Sequence, residues 1–209
     1  FVKNGPFRKP STTFDVSICF HLFKNINFRK AAFGYFGHMW ELYTFWAFVP
    51  ILLITYQNLH PEITFNISIL SFVIISSGSI SCSIGGYISQ KVGIKKTAFS
   101  FLFLSCICCI AAPFLFQVAN KNLFIVFLLF WGMVVIADSP LFSTLVAQNA
   151  PSKDKGTALT IVNCIGFSIT IISIQVISSL FNFTNSNLVF SVLAIGPIFG
   201  LMSLRKKTI

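Results

Sequence analysis

Three ionisable side chains lie within long apolar stretches of the sequence: His38 and Glu41 in GYFGHMWELYTFW (34–46), and Asp138 in ADSP (137–140). An ionised carboxyl at the middle of a bilayer costs about 2.5–3.5 kcal/mol on insertion scales, so such residues ordinarily face a cavity or a partner. Gly34, His38, Glu41 and Phe45 share one helical face, and the spacing of His38 and Glu41 lets the two touch. A histidine beside a carboxylate suits a proton relay or the binding of a ligand. The same pair could instead be a neutral, mutually bonded lock that only fixes packing. Asp138 stands two residues before Pro140, which deletes the hydrogen bond to the carbonyl of Ile136 and kinks a helix. Asp138 and Ser139 could cap the freed backbone groups, or Asp138 could join His38 and Glu41 in substrate or proton coupling.

The elements that must carry these residues follow from composition. The chain has 209 residues, 55% hydrophobic and 10% charged, where a soluble domain carries about 25% charged residues. Six apolar stretches, 31–56, 63–88, 97–116, 122–147, 156–181 and 187–204, are bounded by Lys, Asn, Pro and Gly clusters. All but the last are near or above the roughly 20 residues a spanning helix needs. The expectation is an all-α polytopic membrane protein: a lead-in over 1–30, a six-helix transmembrane bundle over 31–204 and a tail over 205–209. Within the lead-in, Phe14, Ile18, Leu22 and Ile26 recur every four residues, which suits an amphipathic helix over 14–27 or else a partly ordered linker.

The net charge of +10 is distributed unevenly. All of the Lys and Arg residues except Lys121 fall before the first stretch, between the second and third, between the fourth and fifth, or after the sixth. By the positive-inside rule both termini are cytoplasmic and Lys121 is on the opposite side. The basic residues are thus topological anchors, and nucleic acid is not an expected partner, because no basic helix is interleaved with polar surface.

Intramembrane polarity repeats with a period of three helices. Helix 1 carries His38 and Glu41, and helix 4 carries Asp138; helix 2 has Ser76, Ser79, Ser83 and Gly86 on one face, and helix 5 has Asn163, Gly166, Thr170 and Ser173. Helices 3 and 6 are the plainest. This pattern predicts two inverted three-helix repeats, in which binding sites lie near the midplane and the small faces allow close, mobile packing. Glu41 lies about 15 Å into helix 1 and Asp138 about 14 Å from the cytoplasmic end of helix 4, at matching depth. Tyr35, Trp131 and Asn163 are expected to line a cavity between them.

The segment 34–46, the loop GGYISQKVGIKK (85–96) and the stretch DSPLFSTLVAQNAPSKDKGTALTIVNCIGF (138–167) resemble the C-terminal six-helix half of a major facilitator superfamily transporter. Gly86, Gln90, Lys91, Gly93, Lys95 and Lys96 resemble that superfamily's gating-loop signature, with Gln90 in place of its acid. Gln148, Pro151, Lys155 and Gly156 resemble a later loop pattern, again with Gln for the acid. The resemblance implies a secondary transporter in the plasma (bacterial inner) membrane, moving a small solute by alternating access and coupled to protons, with helices 1 and 4 lining the cavity. It also implies an N-terminal six-helix half as partner, so the chain is expected to be a fragment or a truncated gene product.

Two rival readings remain. A membrane-embedded metal-dependent enzyme would use His38 and Glu41, but a metal site normally takes three or four protein ligands, and His21 and His60 fall on opposite sides of the membrane. Leu42 stands where the inverted zinc-protease motif requires histidine. Cys106, Cys108 and Cys109 lie in an apolar helix and read as small buried thiols. A non-transporting assembly subunit explains six spans but does not require the acids. The expectation is therefore a transporter, not an enzyme, with no cofactor and no metal.

Overall fold

The structure, a computed structural model, describes residues 17–184 and 187–205. A short helix α1 (Ser17–Lys24) precedes α2 (Ile26–Leu59), α3 (Ile67–Val92), α4 (Ile94–Gln117), α5 (Lys121–Ala137), α6 (Ser139–Asn149) and α7 (Lys155–Thr184). A 3-10 turn over Asn187–Ala194 then leads into α8 (Ile195–Arg205). With α5 and α6 forming one span, and the 3-10 turn and α8 another, six segments are long and apolar enough to cross a membrane. The protein is an all-α, multi-pass membrane protein, and no strand occurs among the described residues.

Asparagine starts three of the spans. Asn25 accepts hydrogen bonds from the backbone N–H groups of Asn27 (2.9 Å) and Phe28 (3.2 Å), Asn66 from Ile69 (3.1 Å) and Asn120 from Leu123 (3.1 Å). Each satisfies donors that a helix start leaves without partners. The cap at Asn25 also divides the helix expected over 14–27: Ser17–Lys24 is one helix, Ile26 and Asn27 already belong to α2, and residues 14–16 lie outside the described residues. Because Asn25 caps so early, α2 begins at Ile26, inside the stretch assigned to the lead-in. Between α3 and α4 the chain turns on Gly93 alone, at φ 97° and ψ 140°, a conformation that strongly favours glycine.

The sixth span is not α-helical throughout. Pro197 has no N–H to offer the carbonyl of Leu193, and the chain there passes from the 3-10 turn into α8. The fourth is broken at Asp138, midway between Pro140 and Ile136, whose carbonyl that proline cannot bond.

Helix α2 is the central element, packed on α8, α7 and α6. It meets α8 through glycine: a Cβ on Gly37 would collide with the carbonyl of Gly196, and one on Gly196 would lie 2.5 Å from the carbonyl of Gly37. Helices α3 and α5 approach similarly, with the Gly132 Cβ position 2.6 Å from the carbonyl of Ile74. Two apolar clusters fill the bundle, one around Phe28, Phe36, Leu102 and Phe142, the other around Leu52, Tyr56, Phe116, Phe124 and Phe190. The second closes the end remote from the basic loops, where Tyr56 stacks on Phe124 at 3.8 Å and donates to the carbonyl of Val118 at 2.6 Å. Large apolar side chains such as Phe72, Phe103, Phe114 and Ile171 remain exposed on the outside, as lipid-facing positions should.

Candidate functional site

Helix α2 brings His38 to the bundle interior, and the break between α5 and α6 brings Asp138 opposite it. His38 Nδ1 lies 3.0 Å from Asp138 Oδ1, with both side chains about 1% exposed. Phe142 of α6 and Tyr35 of α2 flank the imidazole, at ring-centroid distances of 5.8 and 6.1 Å. Neither carboxyl oxygen of Asp138 nor His38 Nε2 has an aligned hydrogen-bond partner, so the two groups are close without a well-aligned hydrogen bond. A buried carboxyl beside an imidazole, with further polar atoms unoccupied by protein partners, can exchange a proton or accept a polar ligand atom.

The backbone break is covered by the second span. Ser81 Oγ lies 2.7 Å from the carbonyl of Met133, sharing its proton with the carbonyl of Gly78 at 2.8 Å, and the Cys82 thiol lies 3.6 Å from the carbonyl of Ile136. The Cβ position of Gly85 is 3.1 Å from the carbonyl of Ala137, so α3 passes close beside the break. Of the two roles open to Asp138, capping is the one not seen: it occupies the N-cap position of α6 without a side-chain cap bond. Donors from α3 leave the carboxyl facing His38.

Glu41 does not pair with His38. Its Oε1 accepts from the hydroxyl of Ser105, from the thiol of Cys109 at 3.1 Å and from the indole N–H of Trp131 at 2.7 Å, while Oε2 has no partner. Three residues advance a helix by about 300°, leaving an offset of about 60° and a rise of about 4.5 Å. That offset suffices to turn Glu41 towards α4 and α5 and His38 towards α6. Three donors on one oxygen offset the loss of water around a carboxylate.

Of the residues expected to line a cavity, Trp131 is fully buried and acts as a donor to Glu41 rather than as a cavity wall within this chain. Tyr35 packs against Gly166, whose Cβ position is 2.8 Å from the Tyr35 ring, and Asn163 is half-buried on α7. The two small faces differ in fate. Thr170 and Ser173 of α7 face α2 and donate to the carbonyls of Met39 (3.1 Å) and Trp40 (2.6 Å), and Thr44 donates to Ser173 (2.8 Å). Ser76, Ser79 and Ser83 of α3 point outward, contrary to the expectation of packing, because Ile74, Gly78, Ser81 and Gly85 form the buried face. Ser105 and Cys109, one helical turn apart, escaped sequence reasoning because nothing marks a hydroxyl and a thiol in an apolar helix as partners of a particular acid.

The signature-like loop residues gather at the basic end. Gln90, Lys91, Gly93, Lys95 and Lys96 are exposed, Gly86 has open space beside it, and Lys91 Nζ lies 4.6 Å from the centre of the Tyr87 ring. A cleft of about 530 Å3 is lined by Gly93, Lys95, Lys96 and Gln148, so the two loop patterns share one opening. All six cysteines are free. Among the described residues no three His, Cys, Asp or Glu side chains form a group able to hold a metal ion.

Residues 3–174 match the family model described as Major Facilitator Superfamily. No curated protein matches the chain.

Proposed function

Because the chain belongs to the Major Facilitator Superfamily, and is thereby a multi-pass membrane transporter, we propose that it moves a small solute by alternating access and that His38 and Asp138 couple this movement to protons. The observation that carries the proposal is the buried 3.0 Å pair between α2 and the break in the fourth span. Protonating Asp138 removes its attraction for His38 and frees α6 from α2; deprotonation restores it. A proton binding there therefore biases two arrangements of the same helices, which is what coupling requires. Glu41, held by three donors on α4 and α5, is assigned to fixing the bundle.

Alternating access also calls for a second six-helix unit against this one. Supporting this, Ser76, Ser79 and Ser83 on α3, and Thr160, Cys164, Ser168 and Gln175 on α7, form polar stripes on exposed flanks of spans. The serine hydroxyls return their protons to carbonyls of their own helix, which leaves acceptor lone pairs directed outward. Lipid offers nothing to such atoms, whereas a partner unit or an aqueous path does. The charge bias of the loops favours cytoplasmic termini.

The test is solute-driven proton flux in proteoliposomes loaded with a pH-sensitive dye and containing the full gene product. A solute that changes the internal pH with the wild type should produce no change with His38→Gln or Asp138→Asn, while Glu41→Gln retains flux. Undiminished flux in both of the first two variants would remove them from the coupling role.

A further inference from the structure

At the basic end of the bundle, α2 and α8 enclose a pocket of about 230 Å3 lined by Arg29, Lys30, Phe33, Phe199, Met202 and Ser203. A second recess, of about 280 Å3, continues from it, sharing Phe33 and Phe199 and extending along Phe36, Trp40, Ile169 and Ile195. Its floor is the backbone contact of Gly37 with Gly196, where the absence of side chains leaves a trough between the helices. The combined groove is charged at one end and apolar along the rest. From Arg29 to Trp40 it covers twelve residues of α2, about 16 Å of helix from first to last, or about half of a hydrocarbon core of roughly 30 Å. That length is one leaflet.

The charged end is arranged for an anion. Arg29 and Lys30 lie at the start of α2, whose first turn holds no acid. The positive end of the helix dipole repels cations there and attracts an anion. Among the described residues Arg29 has no ion-pair partner, and it is exposed at the level where headgroups would lie.

We propose that this groove binds one anionic phospholipid, its phosphodiester against Arg29, with Lys30 in the pocket wall, and one acyl chain in the trough along Phe33, Trp40 and Phe199. A free anion would occupy the charged pocket alone and make no use of the adjoining trough. A zwitterionic lipid would meet the arginine with its positive headgroup close by. The site lies on the outer flank of α2 and α8, away from His38 and Asp138, and the proposal does not rest on their role.

Native mass spectrometry of the detergent-solubilised full chain tests it, with dioleoyl phosphatidylglycerol, dioleoyl phosphatidylcholine and inorganic phosphate as probes. Phosphatidylglycerol should be retained in preference to phosphatidylcholine, and Arg29→Gln should lower its apparent affinity about fivefold, the effect of one base near an anionic headgroup. Ile195→Trp, which fills the trough from an exposed position, should weaken phosphatidylglycerol to a similar extent without changing helicity by circular dichroism. Equal retention of the two lipids, or an Arg29→Gln chain with unchanged affinity for phosphatidylglycerol, overturns the proposal. So does displacement of phosphatidylglycerol by inorganic phosphate, or its unchanged binding to Ile195→Trp, because either would mean that only the headgroup pocket is used.

Discussion

Replacing Glu41 in two ways separates an acid that organises the bundle from one that must carry charge. Its Oε1 accepts from Ser105, Cys109 and Trp131, and Oε2 has no partner. In Glu41→Gln the amide oxygen can take the place of Oε1, and the new N–H2 falls where no partner existed. The three donors keep their acceptor, so stability should stay within about 1 kcal/mol of wild type. Glu41→Leu keeps the volume but orphans all three donors. Interhelical hydrogen bonds in bilayers average about 0.6 kcal/mol, whereas an orphaned buried donor costs about 1–3 kcal/mol. The loss should therefore be at least about 2 kcal/mol, which for a chain of this size lowers the unfolding midpoint by about 4–8 °C. Thermal unfolding in detergent, followed by tryptophan fluorescence and circular dichroism, reads both. The reasoning fails if Gln destabilises as much as Leu, since the charge itself would then be needed, or if Leu is tolerated.

Four further outcomes follow from the geometry. Removing either member of the buried His38–Asp138 pair leaves the other uncompensated: His38→Leu and Asp138→Leu should each cost about 3–5 kcal/mol, and the double variant clearly less than their sum, as measured by a double-mutant unfolding cycle. Gly37→Ala places a methyl group against the backbone of Gly196 and should cost about 1–3 kcal/mol, with α8 displaced from α2 as seen by an increased distance between spin labels on the two helices. Gly93→Ala forces an alanine to φ 97° and should lose about 1–3 kcal/mol in the same unfolding assay, whereas Gly86→Ala, with open space beside it, should be neutral or slightly stabilising. Ser81→Ala takes a donor from the carbonyl of Met133 and should cost about 1 kcal/mol, with faster amide exchange around Asp138 than in wild type.

The spans were legible because apolar length is an additive property of a stretch, and a helix in lipid has no alternative way to satisfy its backbone. The break at Asp138 was legible in the same way, from the missing N–H of Pro140. Partner choice was not. His38 and Glu41 occupy one face by spacing, yet a residual offset of about 60° sends them to different neighbours, and only the placement of α4, α5 and α6 decides which. The serines of α3 mislead for a related reason: Ser76, Ser79 and Ser83 have the periodicity of a packing face, but the adjacent face bearing Gly78 and Gly85 is smaller and wins the close approach to α5 and the break that follows it. The early start of α2 depends on one side chain, Asn25, within a polar and apolar mixture that admits several starts.

The break in the fourth span also bears on how the protein is made. A segment with an acid and a proline near its middle partitions poorly from the translocon by itself. The carbonyls of Met133 and Ile136 beside the break take added donors from Ser81 and Cys82, which leave the ribosome more than fifty residues earlier. Synthesis order thus has the second span already in the membrane, donors in place, when the broken helix emerges, and insertion of the fourth should depend on it. Glycosylation mapping of the fourth span, alone and behind the second, would reveal that dependence as a rise in the inserted fraction; equal insertion in the two contexts would show that the broken helix enters unaided.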